Sequence, residues 1–287
     1  MTVPNGAFQP DHTAALENAT DQRWSYQTTR QPVLKGTEGL SYDAPMSRWV
    51  PASHEVFSAD GSDYAWTERN PSTTSNRLHL TKVADGSDKS WAVPPPNDPI
   101  FRGHGPMLPV PLAITPGGIL LTYGWEGTYG VWRLDPASGL LAKVSGEPAA
   151  RGYGAGALWL EPLRGSATVG AEQSGDTLAR LDPASGAVED WFRRDGTLVR
   201  YLGVDKDGDP WVVTWVYASQ AFEIGIWRVS GPGHSDLILA GQQFSRTFSD
   251  GHGTWFGNDS GVYLFASGSV ERVSSASVGE VLGPCIT

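Results

Sequence analysis

The seven residues Arg133-Leu134-Asp135-Pro136-Ala137-Ser138-Gly139 recur unchanged at Arg180-Leu181-Asp182-Pro183-Ala184-Ser185-Gly186, 47 residues further along the chain. An identity at that period marks a supersecondary unit that cannot bury its apolar face alone and must stack on neighbours. Each copy reads as a hairpin. Short, mostly apolar runs lead in at 131–134 and 177–181, and others lead out at 140–144 and 187–192. Between them the Asp carboxylate can accept backbone N–H groups two residues on, and Pro presets φ at the second turn position. Gly closes the turn, where a left-handed φ meets no Cβ. Looser copies stand at residues 80–87, 226–233 and 262–268.

A second marker precedes each hairpin: a Gly-containing turn, then an aromatic or apolar strand, at residues 60–66, 116–121, 155–159, 207–211 and 250–255. Aligned on the bulky residue, Tyr64, Leu120, Trp159, Trp211 and Trp255 are 56, 39, 52 and 44 residues apart. Each unit thus runs strand, Gly turn, strand, variable loop, strand, Asp/Gly turn, strand. Four antiparallel strands in roughly 40–55 residues describe the blade of a β-propeller, which leaves only short protected edges. The expectation is an all-β chain, a single β-propeller of six four-stranded blades, with seven as the alternative count. Five units are explicit. Residues 21–50 have room for a sixth, with strand candidates at 24–28 and 48–50 and a loop at 36–45. Residues 1–20 read as a flexible N-terminal arm before a propeller domain over 21–287, and residues 281–286 as a strand closing the ring. A β-sandwich is the rival fold, but it gives no reason for the 47-residue identity.

Composition agrees with many short strands and tight turns: 35 Gly, 21 Pro and 12 Trp in 287 residues, with no sustained 3.6-residue apolar period. The formal net charge is −10 and the Lys and Arg residues are scattered. That disfavours nucleic acid and anionic membrane surfaces, both of which reward a basic patch. Cys285 is the single cysteine and reads as a small hydrophobe, since nothing near it in sequence would activate a thiolate. No run of 18 apolar residues predicts a membrane helix, and the first six residues lack the basic start and apolar core of a signal peptide.

Residues Gly156-Ala157-Leu158-Trp159, followed by Leu178-Ala179-Arg180-Leu181-Asp182-Pro183-Ala184-Ser185-Gly186-Ala187-Val188, resemble blades of bacterial propellers of the virginiamycin B lyase-like, NHL and YVTN types. Those blades carry a DG-x-W turn and then an R-I/L-D-P-x-T/S-G hairpin. Residues 250–257 are similar to blades of sensor-type propellers, and residues 58–66 to a TolB-type blade. The resemblance covers about residues 53–275. It implies blade architecture and a secreted or cell-envelope location with a leader removed, a cytoplasmic one being left open. The lyase of this group uses a histidine and glutamates that hold Mg²⁺, on strands with a P-x-G-I signature. No catalytic residue of that lyase is carried over to this chain. The Asp box of sialidases also fails, because His252 stands at its Gly position.

If the Gly turns share one end of the blades, the loops after each second strand share the other. Those segments are 68–76, 124–130, 161–176, 215–225 and 257–261, from 5 to 16 residues long, whereas the hairpins are short and uniform. Scaffolds carry binding on variable loops. The exits of the second strands place Trp66 and Glu68, Trp125 and Glu126, Trp159 and Glu161, Trp215, and Asn258 and Asp259 on one expected rim. Aromatic faces beside hydrogen-bonding groups suit sugar rings, apolar ligands or cationic partners. The competing reading has the Trp residues filling wedges between blades and the acids keeping the rim soluble. Two functions follow. One is a non-enzymatic, extracytoplasmic binder of a protein, peptide or glycan, needing no cofactor and no membrane insertion. The other is a lyase or hydrolase using Glu68, Glu126, Glu161 and Asp259, with a divalent cation. Residues 205–209 have a trace of a calcium loop but read as a plain turn. Lys82, Arg133, Arg180 and Arg228, just ahead of the hairpin turns, are expected to pair with acids such as Asp135 and Asp182. His104 and His234 read as solvated loop residues, and neither a nucleophile elbow nor a phosphate loop is present.

Overall fold

The computed structural model describes residues 41–43, 48–50, 56–68, 77–102, 107–124, 128–162, 164, 175–218, 221–244 and 246–275. The side chains of 41–43, 48–50, 68, 217–218 and 221–222 stand outside that description. So do the expected N-terminal arm, the strand candidate at 24–28, His104, Cys285 and the expected closing strand at 281–286. A three-residue 3₁₀ turn, Pro99–Phe101, is begun by Asp98, whose Oδ1 accepts from the Ile100 amide at 3.0 Å. Two compact units divide the chain, one essentially over residues 2–143 and one over 144–284.

In the first unit, β1 (Ser41–Asp43) pairs with β2 (Arg48–Val50), so the expected loop at 36–45 contains a strand. A three-stranded sheet follows, made of β3 (Asp63–Glu68), β4 (Arg77–Lys82) and β5 (Asp88–Ala92), with Phe57 bridging to Tyr64. Then come β6 (Leu108–Thr115), β7 (Gly118–Gly124), β8 (Thr128–Leu134) and β9 (Leu141–Ser145), a four-stranded sheet in chain order. The second unit holds three more four-stranded sheets in chain order. They are β10 (Ala150–Gly154) to β13 (Val188–Arg193) by way of β11 (Ala157–Leu160) and β12 (Thr177–Leu181); β14 (Thr197–Val204) to β17 (His234–Ala240) by way of β15 (Pro210–Ala218) and β16 (Ala221–Gly231); and β18 (Thr247–Ser249) to β21 (Ser269–Ser274) by way of β19 (Thr254–Asn258) and β20 (Gly261–Ala266). Every pairing is antiparallel, which is the expected blade plan.

The repeated heptad is the turn between third and fourth strands, and its two copies share one set of bonds. Asp135 Oδ1 accepts from the Ala137 amide and Asp182 Oδ1 from the Ala184 amide, both at 2.9 Å. The Ser138 and Ser185 hydroxyls donate to the other carboxylate oxygen at 2.5 and 2.7 Å. Those hydroxyls are the main reason both carboxyls titrate below the usual range. Gly139 and Gly186 take φ of 73° and 75°. At Gly186 a Cβ would also stand 2.7 Å from the Val144 carbonyl oxygen, so space and conformation both demand glycine.

The second marker has an equally local cause. In each blade of the second unit, the Trp opening the second strand donates its indole N–H back to the turn before it. Trp159 reaches the Gly154 carbonyl at 3.3 Å, Trp211 reaches Asp205 Oδ2 at 3.3 Å, and Trp255 reaches Asp250 Oδ1 at 3.0 Å. A large apolar body goes to the interior while its polar edge is satisfied at the turn.

Sheets of each unit pack through their faces. In the first unit Leu78, Met107, Ile119, Leu121, Tyr123 and Trp132 share one core. In the second, Trp159, Leu178 and Phe192 meet Val199, Val212 and Val229 of the next blade. That blade's other face, with Trp211, Val213 and Ile226, meets Phe244, Phe256 and Tyr263. The turn from β20 to β21 carries a misfit: Ser267 sits at φ 51°, a left-handed conformation that serine adopts at a cost, before Gly268 at φ 78°. Ser267→Asn is expected to raise stability by about 0.5 kcal/mol, because Asn suits the first position of such a turn; an unchanged or lowered urea midpoint would count against it.

Arg228 pairs with acids, as expected of it, and those acids stand on the turn between β14 and β15. Its Nε donates to Asp205 Oδ2 at 2.7 Å, and its second guanidinium nitrogen lies 3.0 Å from Asp207 Oδ2 and 2.7 Å from Asp209 Oδ2. Residues 205–209 are indeed a turn, with Asp205 Oδ1 accepting the Asp207 and Asp209 amides at 2.9 and 3.0 Å. The three carboxylates gather around a guanidinium.

Candidate ligand cleft

Strands β15 and β16 explain where a cleft forms. Pro210–Ala218 is a run of β-branched and aromatic residues, and Ala221–Gly231 alternates after it. The two pair from Trp211↔Arg228 to Ala218↔Ala221. The expected variable loop at 215–225 is therefore mostly strand, with residues 219–220 outside the described residues. Side chains alternate across it. Thr214 and Val216 lie opposite Gly225 and Glu223, on the face that also carries Trp227 and Val212 and turns toward the β10–β13 sheet.

Along that face lies an open cleft of about 310 Å³. Its walls include Arg194, Thr214, Glu223, Gly225, Trp227 and Leu237. Arg194 is the first residue after β13, in the link to β14, so the cleft opens at the end bearing the second-to-third strand connections. The Trp227 indole donates to Thr214 Oγ1 at 3.0 Å, lying across Gly225. A Cβ on Gly225 would stand 2.8 Å from that indole nitrogen, so glycine is what lets the ring fold down. The Arg194 guanidinium then lies 4.8 Å from the Trp227 ring centroid. Among the described residues no carboxylate pairs with Arg194, whereas its neighbour Arg193 takes Asp195 at 2.8 Å. Leu237, 51% exposed, supplies an apolar wall, and Glu223 is exposed on the same face as Trp227. The cleft thus brings a guanidinium, a carboxylate and an exposed leucine together.

None of the described residues expected on a rim lines this cleft. Trp125 and Glu126 lie outside the described residues, as does the side chain of Glu68. In the first unit Trp66 is half-buried and stacked on His79, 4.0 Å between centroids and 15° between planes. Its indole donates to Thr81 Oγ1 at 3.0 Å, and that hydroxyl donates to Asp88, which also holds His79 Nδ1 at 2.7 Å. In the second unit Trp159 and Glu161 are buried rather than rim residues, because their face of the sheet packs on the next blade. Glu161 Oε2 takes Arg151 Nε at 2.7 Å, and its Oε1 takes the Tyr201 amide of β14 at 2.6 Å. Burial pushes the Glu161 carboxyl up, against the pull of Arg151 and that amide. Trp215 is buried on the opposite face of the β14–β17 sheet, beneath Arg200 at 5.4 Å. Asn258 turns inward to Gln242 Oε1 at 3.2 Å and accepts the Ser260 amide at 2.8 Å, while Asp259 is exposed.

Sequence reasoning missed Arg194, Glu223, Gly225 and Trp227. The available signal was the alternation Glu223-x-Gly225-x-Trp227, hidden because the segment was read as loop. It also missed Asp176, a buried carboxylate whose Oδ1 accepts from the Arg164 amide and the Thr177 hydroxyl, each at 2.9 Å.

No family model matches the sequence, and no curated protein matches it. Among solved structures the chain is similar to an oligogalacturonate lyase in complex with manganese, with a TM-score of 0.51 and 14% identity over 77% of this chain and 63% of that one. It also aligns with TolB from Acinetobacter baumannii (TM-score 0.45, 11% identity, 79% of this chain and 56% of that one). A third match is an acylaminoacyl peptidase from Pyrococcus horikoshii (TM-score 0.45, 14% identity, 74% of this chain and 37% of that one). The chain spans less than two thirds of the length of each. At 14% identity the likeness to the lyase shows fold and nothing finer. With the strand order of its sheets, it makes this chain an all-β propeller built from four-stranded antiparallel blades.

Proposed function

We propose that the chain is a non-enzymatic binding propeller, working outside the cytoplasm, that recognises a protein, peptide or glycan at the blade ends carrying the second-to-third strand connections. The observation that carries this reading is the cleft beside β16, where a guanidinium with no carboxylate partner among the described residues, an exposed carboxylate and an exposed leucine share one hollow. Binding sites have this composition, mostly apolar with a few placed polar groups. The location rests on the resemblance to exported propellers.

The carboxylate-based lyase or hydrolase reading has less to draw on. Of its four acids, Glu161 is committed to Arg151 and the Tyr201 amide inside the interface between blades.

Immobilised peptide and glycan arrays probed with the wild-type chain and with Arg194→Ala/Glu223→Gln test the proposal. Wild-type signal should fall at least about tenfold in the variant, while the melting temperature stays close to wild type, since both side chains are exposed. Equal binding by the two proteins, or no array signal from the wild type, refutes it.

A further inference from the structure

Arg194 and Glu223 enter the cleft at the same end of the β15–β16 ladder, and that juxtaposition narrows the occupant. Resting on the binding reading above, we infer that the cleft takes a neutral sugar, one ring hydroxyl donating to Glu223 and the adjacent one accepting from Arg194.

The juxtaposition follows from register and from one glycine. Side chains two apart on β16 share a face, so Gly225 stands between Glu223 and Trp227. A Cβ there would lie 2.8 Å from the Trp227 indole nitrogen and 3.2 Å from Leu237 Cδ1, so both side chains lean over bare backbone in the direction of Glu223. The indole N–H is committed to Thr214 Oγ1, which fixes the ring in that pose, and the Arg194 guanidinium rests on the ring. Arg194 thus stands at the end of the ladder that Glu223 occupies.

The two charges leave work for a ligand. Both side chains are exposed and border one hollow, yet among the described residues no ion pair joins them. The carboxylate only accepts and the guanidinium only donates. A ligand that uses both must donate from one atom and accept at a neighbouring one. Adjacent sugar hydroxyls do this, because each is donor and acceptor at once, and bonds to charged partners are the stronger kind. Beside the charges, the exposed Leu237 and the half-buried Trp227 ring give an apolar wall for the C–H face of the same sugar.

Three observations set a neutral sugar apart from other occupants. At −10 the protein repels a polyanion, and Glu223 inside the cleft adds to that field, so an acidic glycan is disfavoured. The strand beneath the cleft is paired on both sides, to β15 and to β17, so an extended peptide finds no open backbone edge there to continue. A cleft of about 310 Å³ stands at the small end of ligand sites, which suits a mono- or disaccharide unit and not a folded partner.

The test is calorimetric titration of the whole chain with maltose, cellobiose, lactose and mannobiose, with trileucine and a uronic acid analogue of each sugar as controls. At least one neutral disaccharide should bind. Arg194→Gln and Glu223→Gln should each weaken it at least about tenfold, with melting temperatures near wild type. Removing the hydroxyl that donates to Glu223, in a deoxy form of that sugar, should weaken wild-type binding and cost nothing further in Glu223→Gln. Removing its neighbour should behave the same way against Arg194→Gln. That cross-pattern separates contact with two named hydroxyls from a general loss of the cleft. Deoxy losses that add in full to those of the variants overturn the inference, as does tighter binding of trileucine or of a uronic acid. If none of the four sugars binds while the arrays retain a ligand that depends on Arg194 and Glu223, the neutral sugar is wrong and the binding propeller stands. If the arrays too are blank, both fall.

Discussion

Trp211→Ala is expected to lower the unfolding free energy by about 3–5 kcal/mol, the range for removing a buried large aromatic side chain. Trp211 is fully buried, with its ring centroid 5.2 Å from that of Phe265 and 5.9 Å from that of Phe256 on the adjoining blade. Deleting it opens a cavity between two sheets whose strands are fixed by their own ladders and close over it poorly. It also removes the indole donor to Asp205, the best-buried acid of its turn. Urea unfolding should show a lower midpoint with an unchanged slope, and the melting temperature should fall by roughly 10 °C. The equivalent Trp255 is only half-buried, so Trp255→Ala should cost less. A loss under about 1 kcal/mol at Trp211 would mean the wedge repacks, against the core assignment.

Arg228→Ala comes next, with an expected loss of about 2–4 kcal/mol, the scale on which breaking a buried ion pair leaves a charge uncompensated. The side chain of Asp205 is 4% exposed, those of Asp209 and Arg228 19% and 22%, and that of Asp207 54%, so water screens only part of this cluster. Burial already pushes the Asp209 carboxyl up, and the Arg228 charge is what opposes it. Without the guanidinium, desolvation and repulsion from its neighbours raise the native Asp209 carboxyl further above its unfolded value. The native state then binds more protons than the unfolded one, so stability is present at low pH and is lost as pH rises through the raised value. The variant's deficit should therefore be larger at pH 7 than at pH 4. An equal deficit at both, in chemical unfolding of variant and wild type, would show that packing and not charge is what Arg228 supplies. Arg228→Lys should recover only part of the loss, because a point charge cannot serve three carboxylates in a planar fork.

What could be read from the sequence was local. The Asp-Pro-Ala-Ser-Gly turn closes on its own backbone within five residues, and its Gly conformation follows from the absence of a Cβ, so two identical copies predicted two identical bonding patterns. The Trp after each turn was legible for the same reason, since its N–H returns to a partner five or six residues back. Facing was harder. Trp159 and Glu161 ended a strand and looked like a rim, yet which face they occupy depends on a blade that begins some 35 residues later. Glu161 finds its second partner at Tyr201, 40 residues on. The run at 211–216 is apolar on both faces because a sheet covers each side, which erases the alternation that would have marked it as strand. Arg194 was invisible for a similar reason, its partner Trp227 being contributed by a different blade. That Arg228 pairs with acids was legible, but which acids it takes was not. Register places it opposite Trp211, beside the earlier turn at the same end of the sheet.

The arrangement around Arg228 has a consequence for where such a blade can work. Many acidic turns borrow a dissolved ion, and their integrity then follows the ionic make-up of the medium and the presence of chelators. Here the counter-ion is attached to the backbone one strand away. Its local concentration is set by covalent geometry, and dialysis, dilution or a sequestering agent leaves it in place. The turn that anchors Trp211 is therefore held by the same cation in every medium the chain meets.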